Sequence, residues 1–112
     1  PCEKARDSGD YITARLKEMQ TRHPLIGDVR CPGLMASIEL VKDRTTKEPA
    51  CRESQEVYRL GVERGVLFGE SRYAGLGNLI KVKPPLDIER PLLAKALDVL
   101  DEVIGIIEEQ RP

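Results

Sequence analysis

"NLIKVKPPL", residues 78–86, alternates in a way that fixes how the rest of the chain must be read. Ile80 and Val82 fall on one face, while Leu79, Lys81 and Lys83 fall on the other. A period of two is the mark of a half-buried strand. Pro84 and Pro85 have no amide N–H to give a ladder, so pairing stops there or runs along an edge. Such a strand needs partners beside it and a cover over its apolar face.

The flanking sequence supplies both. From Arg90 to Glu109, Leu93, Leu97, Leu100, Ile104 and Ile107 recur at helical spacing, with Pro91 in the first turn where its missing N–H costs little. Upstream, "VLFGE" (66–70) reads as a short apolar strand and "SRYAGLGN" (71–78) as a glycine-rich loop. The two strands that this loop joins should pair antiparallel. Residues 52–64 carry Val57, Leu60 and Gly61 at helical spacing, and Gly65 is placed to terminate that helix. "GLMASIELV" (33–41) alternates again, with Leu34, Ala36, Ile38 and Leu40 on one face and Ser37 and Glu39 on the other. "KDRTTKEPA" (42–50) is polar and aperiodic, a surface loop whose charges need no ligand. Ala5, Ser8, Ile12, Leu16 and Met19 mark an amphipathic helix over 3–22, which Pro24 ends at His23. Gly27, Gly65, Gly75 and Gly77 read as turn punctuation. The order is helix, strand, helix, strand, strand, helix. That predicts an α+β two-layer sandwich over 1–112, a small mainly antiparallel sheet with helices on one face.

Composition limits the function classes. The 112 residues are 40% apolar and 33% charged, enough for one domain with a modest core. A formal net charge of −1 gives no long-range attraction to nucleic acid or an anionic membrane. No apolar run approaches the length of a membrane span. Cys2, Cys31 and Cys51 have no C-x-x-C spacing and His23 is the single histidine, so no metal site is expected. The thiols read as incidental, in a reducing, cytoplasmic setting. The opening "PCEKARDSG" lacks an initiator Met and enters a helical pattern at once, as expected of a chain cut from something longer.

Few residues carry chemistry. His23 has no second histidine or nearby cysteine, and it reads as a helix-end residue beside the last carbonyls. Asp98, Asp101, Glu102, Glu108 and Glu109 lie mostly off the apolar stripe and read as a solvated helix face. "GESRYAGLGN" has three glycines but no Walker lysine and no phosphate-cradling helix after it. Lys81 is the best site candidate. Pointing away from Ile80 and Val82, it would favour an anion if a larger partner covered that face. The alternative is a solvent-facing strand whose lysines guard a sheet edge.

Three stretches together resemble a known family. "HPLIGDVRCPGLMASIELVKDRTTKEPA" is similar to the segment of class III pyridoxal-phosphate aminotransferases that carries an R-G-x-G-L-M-x-G-x-E-L-V pattern. "ERGVLFGE" resembles their next strand, and "GNLIKVKPPLDIERPLLAKALDVLDEVI" their closing strand and helix. The match runs through nearly the whole chain in order. It implies the C-terminal small domain of a fold type I enzyme, working as a homodimer with its active sites between this domain and a large cofactor domain. It also implies pyridoxal 5'-phosphate in the parent, amino and oxo acids as substrates, and a Schiff-base lysine upstream of residue 1. By that resemblance no catalytic residue and no cofactor ligand lies in this chain, which alone should not transaminate.

Lys81 stands where many members have an arginine that binds the substrate α-carboxylate or pairs with an active-site acid; the resemblance implies a substrate-binding role for Lys81 and a peripheral one for Lys83. Lysine offers a point charge where arginine offers a planar fork. The K-[IV]-K-P-P variant also resembles alanine–glyoxylate-like aminotransferases and related phospho-lyases, leaving a phospho-amine as an alternative substrate class. Cys31 and Ser37 stand where glycine is common; a positive-φ turn at Cys31 would be penalised, and Ser37 would narrow the space beside the strand. Arg30 and Gly33 match the pattern and read as turn and packing residues. The competing reading of another class is a free-standing α+β module that binds an anion or a protein without catalysis.

Overall fold

The computed structural model describes residues 2–70 and 77–111. Its elements are α1 (Cys2–Arg22), β1 (Ile26–Arg30), β2 (Ala36–Asp43), β3 (Glu48–Pro49), α2 (Cys51–Glu63), β4 (Gly69–Glu70), β5 (Leu79–Val82) and α3 (Arg90–Glu109). The strands form one antiparallel sheet in the order β1-β2-β5-β4, and β3 pairs with the far end of β2. In β5, Ile80 and Val82 are buried while Leu79 and Lys81 are half-buried, and the ladder ends before Pro84.

Alternation along β2 and β5 turns Ala36, Ile38, Leu40, Ile80 and Val82 into one apolar layer. α1 lies over β1 and β2, α2 lies over β2, and α3 packs on both of those helices. Ile12, Leu16 and Met19 of α1 and Leu93, Leu97, Leu100 and Ile104 of α3 are fully buried in the same core. Each such side chain is worth roughly 1.5–3 kcal/mol relative to exposure, so these stripes hold the helices on the sheet. This is the α+β sandwich that the alternation predicts. Among the described residues no helix is long and apolar enough to cross a membrane.

Four expectations change. A strand, β1, occupies 26–30, where the sequence suggested only a break after the helix. Gly27 therefore lies in a strand rather than a turn, and a Cβ there would come within 2.9 Å of the Val41 side chain. The 33–41 strand starts at Ala36, because Gly33 has φ 68 and turns the chain, and it continues to Asp43. Residues 42–50 are not a plain loop: they return as β3 through a turn whose Lys47 has φ 61. The 66–70 strand shortens to Gly69–Glu70, since Val66 N–H is still donating to Gly61 O after α2. The glycine-rich loop lies mostly outside the described residues, and Gly75 with it. The two strands it joins do pair antiparallel.

Candidate functional site

Lys81 sits in the middle of the sheet. Its Cα is paired with Ser37 of β2 on one side and with Gly69 of β4 on the other. The lysine is thus on an interior strand, which removes edge protection as its purpose; the edge on that side is β4. Because Ile80 and Val82 enter the core, Lys81, Ser37 and Glu39 share the face that the helices leave open. Both cross-strand neighbours are small, and a Cβ on Gly69 would lie 3.4 Å from that of Lys81. Among the described residues the Lys81 ammonium has no hydrogen bond and no ion pair, although the residue is half-buried. Lys83, past the ladder's end, is exposed.

The strand beneath Lys81 is fixed by its neighbours. Leu40 N–H donates to Asn78 O at 2.8 Å, and the Asn78 side-chain amide donates to Leu40 O at 2.9 Å. From α2, Tyr58 Oη donates to Leu79 O at 2.8 Å. Backbone groups before position 81 are therefore paired, and 81 itself lies in the ladder with β2 and β4, which leaves its side chain as the adjustable part.

Other singled-out residues serve structure. Gly33 is a turn residue, and its carbonyl oxygen lies 2.4 Å from where a Cβ on Gly9 would stand. The positive φ falls on Gly33 and not on Cys31, so Cys31 carries no such penalty. Arg30 is exposed and paired with Asp28 at 2.9 Å. Cys31 is a free thiol.

His23 does follow the end of α1, with its N–H on Met19 O at 2.9 Å, but its ring does more than the sequence suggested. Nε2 lies 2.6 Å from Asp101 and Nδ1 2.6 Å from Glu108. Asp101 and Glu108 are thus committed to His23, not part of a solvated face; Asp98 remains exposed, beside Arg15 at 2.7 Å. The signal in the sequence was the spacing of Asp101, Gly105 and Glu108, which share one face of α3 with a gap between the acids. Arg44 is also committed: its guanidinium donates to the carbonyls of Gln20, His23 and Ile26 across the passage from α1 to β1.

An antiparallel sheet with three helices on one face, a turn at Gly33 and a lysine strand closed by Pro84–Pro85 define a class, and the chain belongs to the class III aminotransferase family, whose model matches residues 2–104. It is 42% identical over 106 residues to the isoleucine 2-epimerase of Lentilactobacillus buchneri, covering 95% of this chain and 23% of that protein. It is 39% identical over 109 residues to the leucine/methionine racemase of Thermococcus litoralis, covering 97% of this chain and 24% of that protein. Among solved structures, an aminotransferase from Bacillus anthracis superposes with a TM-score of 0.85 at 32% identity, over 93% of this chain and 24% of that one. Other relatives are named as an alanine–glyoxylate aminotransferase and as a phosphonate ammonia-lyase. The chain spans about a quarter of the length of the relatives it matches.

The family implies pyridoxal phosphate, and the described residues do not by themselves fit that group. The cavity of about 420 Å³ beside Gly9 and Cys31 is lined by no lysine. The cavity of about 360 Å³ beside β1 and β2 holds Lys47, but its Asp28 is paired with Arg30 and its Arg44 is spent on helix carbonyls. The cavity of about 110 Å³ near Lys83 has otherwise apolar walls, with no acid to face a pyridine nitrogen.

Proposed function

We propose that this chain is the small domain of a pyridoxal-phosphate enzyme acting on an α-amino acid, and that Lys81 receives the substrate carboxylate. What carries the reading is one observation: Lys81 is a half-buried cation on an interior strand, on the helix-free face, without a counter-ion among the described residues. Half-burial strips water from the ammonium and strengthens its attraction for an anion. Gly69 and Ser37 keep the ground beside it low enough for an anion to approach.

In this reading a large cofactor domain upstream in the same polypeptide covers the open face and carries the Schiff-base lysine. The parent works as a cytoplasmic homodimer that moves an amino group from an amine or amino acid to a 2-oxo acid. The cofactor supplies the electron sink when bound. Lys81 binds and orients, fixing one end of the substrate. The point charge of lysine leaves rotation about that anchor less restricted than a two-pronged arginine would.

Two relatives named as an epimerase and a racemase favour a second reading, inversion at Cα in the same site. An ammonia-lyase relative keeps a phosphorylated or phosphonate amine in view, whose anion Lys81 would meet equally well. The test is the intact parent given a Cα-deuterated amino acid and a 2-oxo acid. New amino acid formed from the oxo acid supports transfer. Deuterium lost with inversion and no exchange of amino groups moves the assignment to epimerisation. Release of ammonia from a phospho-amine moves it to the lyase. An upstream reading frame with no cofactor domain would leave the non-catalytic module.

A further inference from the structure

α3 presents Asp101, Gly105 and Glu108 at i, i+4 and i+7, one helix face, and the ring of His23 lies on it. A Cβ on Gly105 would stand 3.7 Å from His23 Cε1, so the glycine is the floor under the ring. Nε2 is 2.6 Å from Asp101 Oδ1 and Nδ1 is 2.6 Å from Glu108 Oε1, with the side chain only 8% exposed. Ionised carboxylates accept and cannot donate, so a ring protonated at both nitrogens satisfies both acids.

The surrounding charges close the cluster. From α3 come Asp101 and Glu108; Glu108 Oε2 also accepts Leu25 N–H at 3.0 Å. From α1, Arg22 donates to Asp101 at 2.8 Å and to Glu18 at 2.6 Å. From the turn after β2, Arg44 donates to His23 O at 2.9 Å. His23 and Arg22 thus face three carboxylates, with Arg44 on the backbone carbonyls, around the corner His23–Pro24–Leu25, where α1 passes into the outer strand β1.

We propose that this cluster is a pH-responsive latch: imidazolium His23 pins the α1–β1 corner to α3, and neutral His23 releases it. A neutral ring keeps one N–H and turns a lone pair toward a carboxylate oxygen at hydrogen-bond distance, in a place with little room for water. Burial alone would push the imidazolium down, but the hydrogen bonds to Asp101 and Glu108 outweigh it and hold His23 above its ordinary value of 6.5. The latch is therefore fully closed below that unfolded value and is lost as pH rises through the raised one. Burial would push Asp101 up, yet hydrogen bonds from Arg22 and His23 hold it below its ordinary 3.8. Its share is present above 3.8 and lost as pH falls through the depressed value. The inference stands apart from any role for Lys81, which lies two strands away from β1.

The chain has a single histidine, so its ring nitrogens can be followed by NMR without ambiguity. Both should carry a proton below the midpoint, which should lie above 6.5. The melting temperature of the chain should fall across that midpoint, and the fall should disappear in His23→Gln. A ring titrating at or below 6.5, or parallel melting curves against pH for the two proteins, would overturn the latch. Should His23→Gln fail to fold, Glu108→Gln removes one acceptor and must lower the midpoint; an unmoved midpoint also overturns it.

Discussion

Ser37 and Lys81 are partners across β2 and β5 on the face free of helices, and Gly69 stands at the other flank of Lys81. The lysine is bounded by a hydroxymethyl group on one side and by hydrogen on the other. Gly69→Val should therefore crowd the Lys81 stem, since even a Cβ would sit at contact distance, 3.4 Å from its Cβ. In the intact parent the expected outcome is a several-fold rise in KM for the amino acid with little change in kcat. Melting should barely move, because β4 is a two-residue edge strand. Steady-state kinetics beside a thermal melt check both halves.

Two glycines in helices should respond oppositely to alanine. At Gly9 the new Cβ would lie 2.4 Å from the backbone oxygen of Gly33, a group that cannot swing aside. The crowding costs about 1–3 kcal/mol, enough to outweigh the roughly 1 kcal/mol that alanine gains in a helix. At Gly105 the nearest atom, on the His23 ring, is 3.7 Å away, ordinary contact. Gly105→Ala should thus be neutral or stabilising by up to about 1 kcal/mol. Denaturant unfolding of the two variants measures the contrast.

Arg44 caps α1 from a distance in sequence. Its guanidinium meets the carbonyl of Gln20 in the last turn, which no intrahelical N–H follows, and those of His23 and Ile26 beyond it. Arg44→Ala should cost about 1–2 kcal/mol, less than fully buried charged hydrogen bonds would because one contact is exposed. Arg44→Lys should recover only part, since one ammonium cannot reach three divergent acceptors. Chemical denaturation resolves differences of this size.

The three helices and β5 were legible because their burial follows a regular period: Leu93 to Ile107 at helical steps, Ile80 and Val82 at strand steps. β1 was not, and the reason is a bulge. Its register shifts between Ile26 and Asp28, so Ile26 and Val29 both face the core strand β2 at a spacing of three, and alternation is lost. β3 is two residues long and polar, below what any period can reveal. At the candidate site, the alternation already separated Lys81 from Ile80 and Val82. It could not say that β5 lies between β2 and β4, because strand order depends on long-range pairing. The grip of Asp101 and Glu108 on His23 was hidden for the same reason, as it joins residues 78 and 85 positions apart.

The role of the Lys81 ammonium is tested most directly by Lys81→Ala in the intact parent. Two substrates are compared, an α-amino acid and the amine that lacks only its carboxylate. Loss of a charged hydrogen bond predicts a fall in kcat/KM of roughly 10- to 100-fold for the amino acid. The amine should be unaffected, and Lys83→Ala should change neither. Unaltered kinetics in Lys81→Ala, or an equal loss on both substrates, would contradict the account.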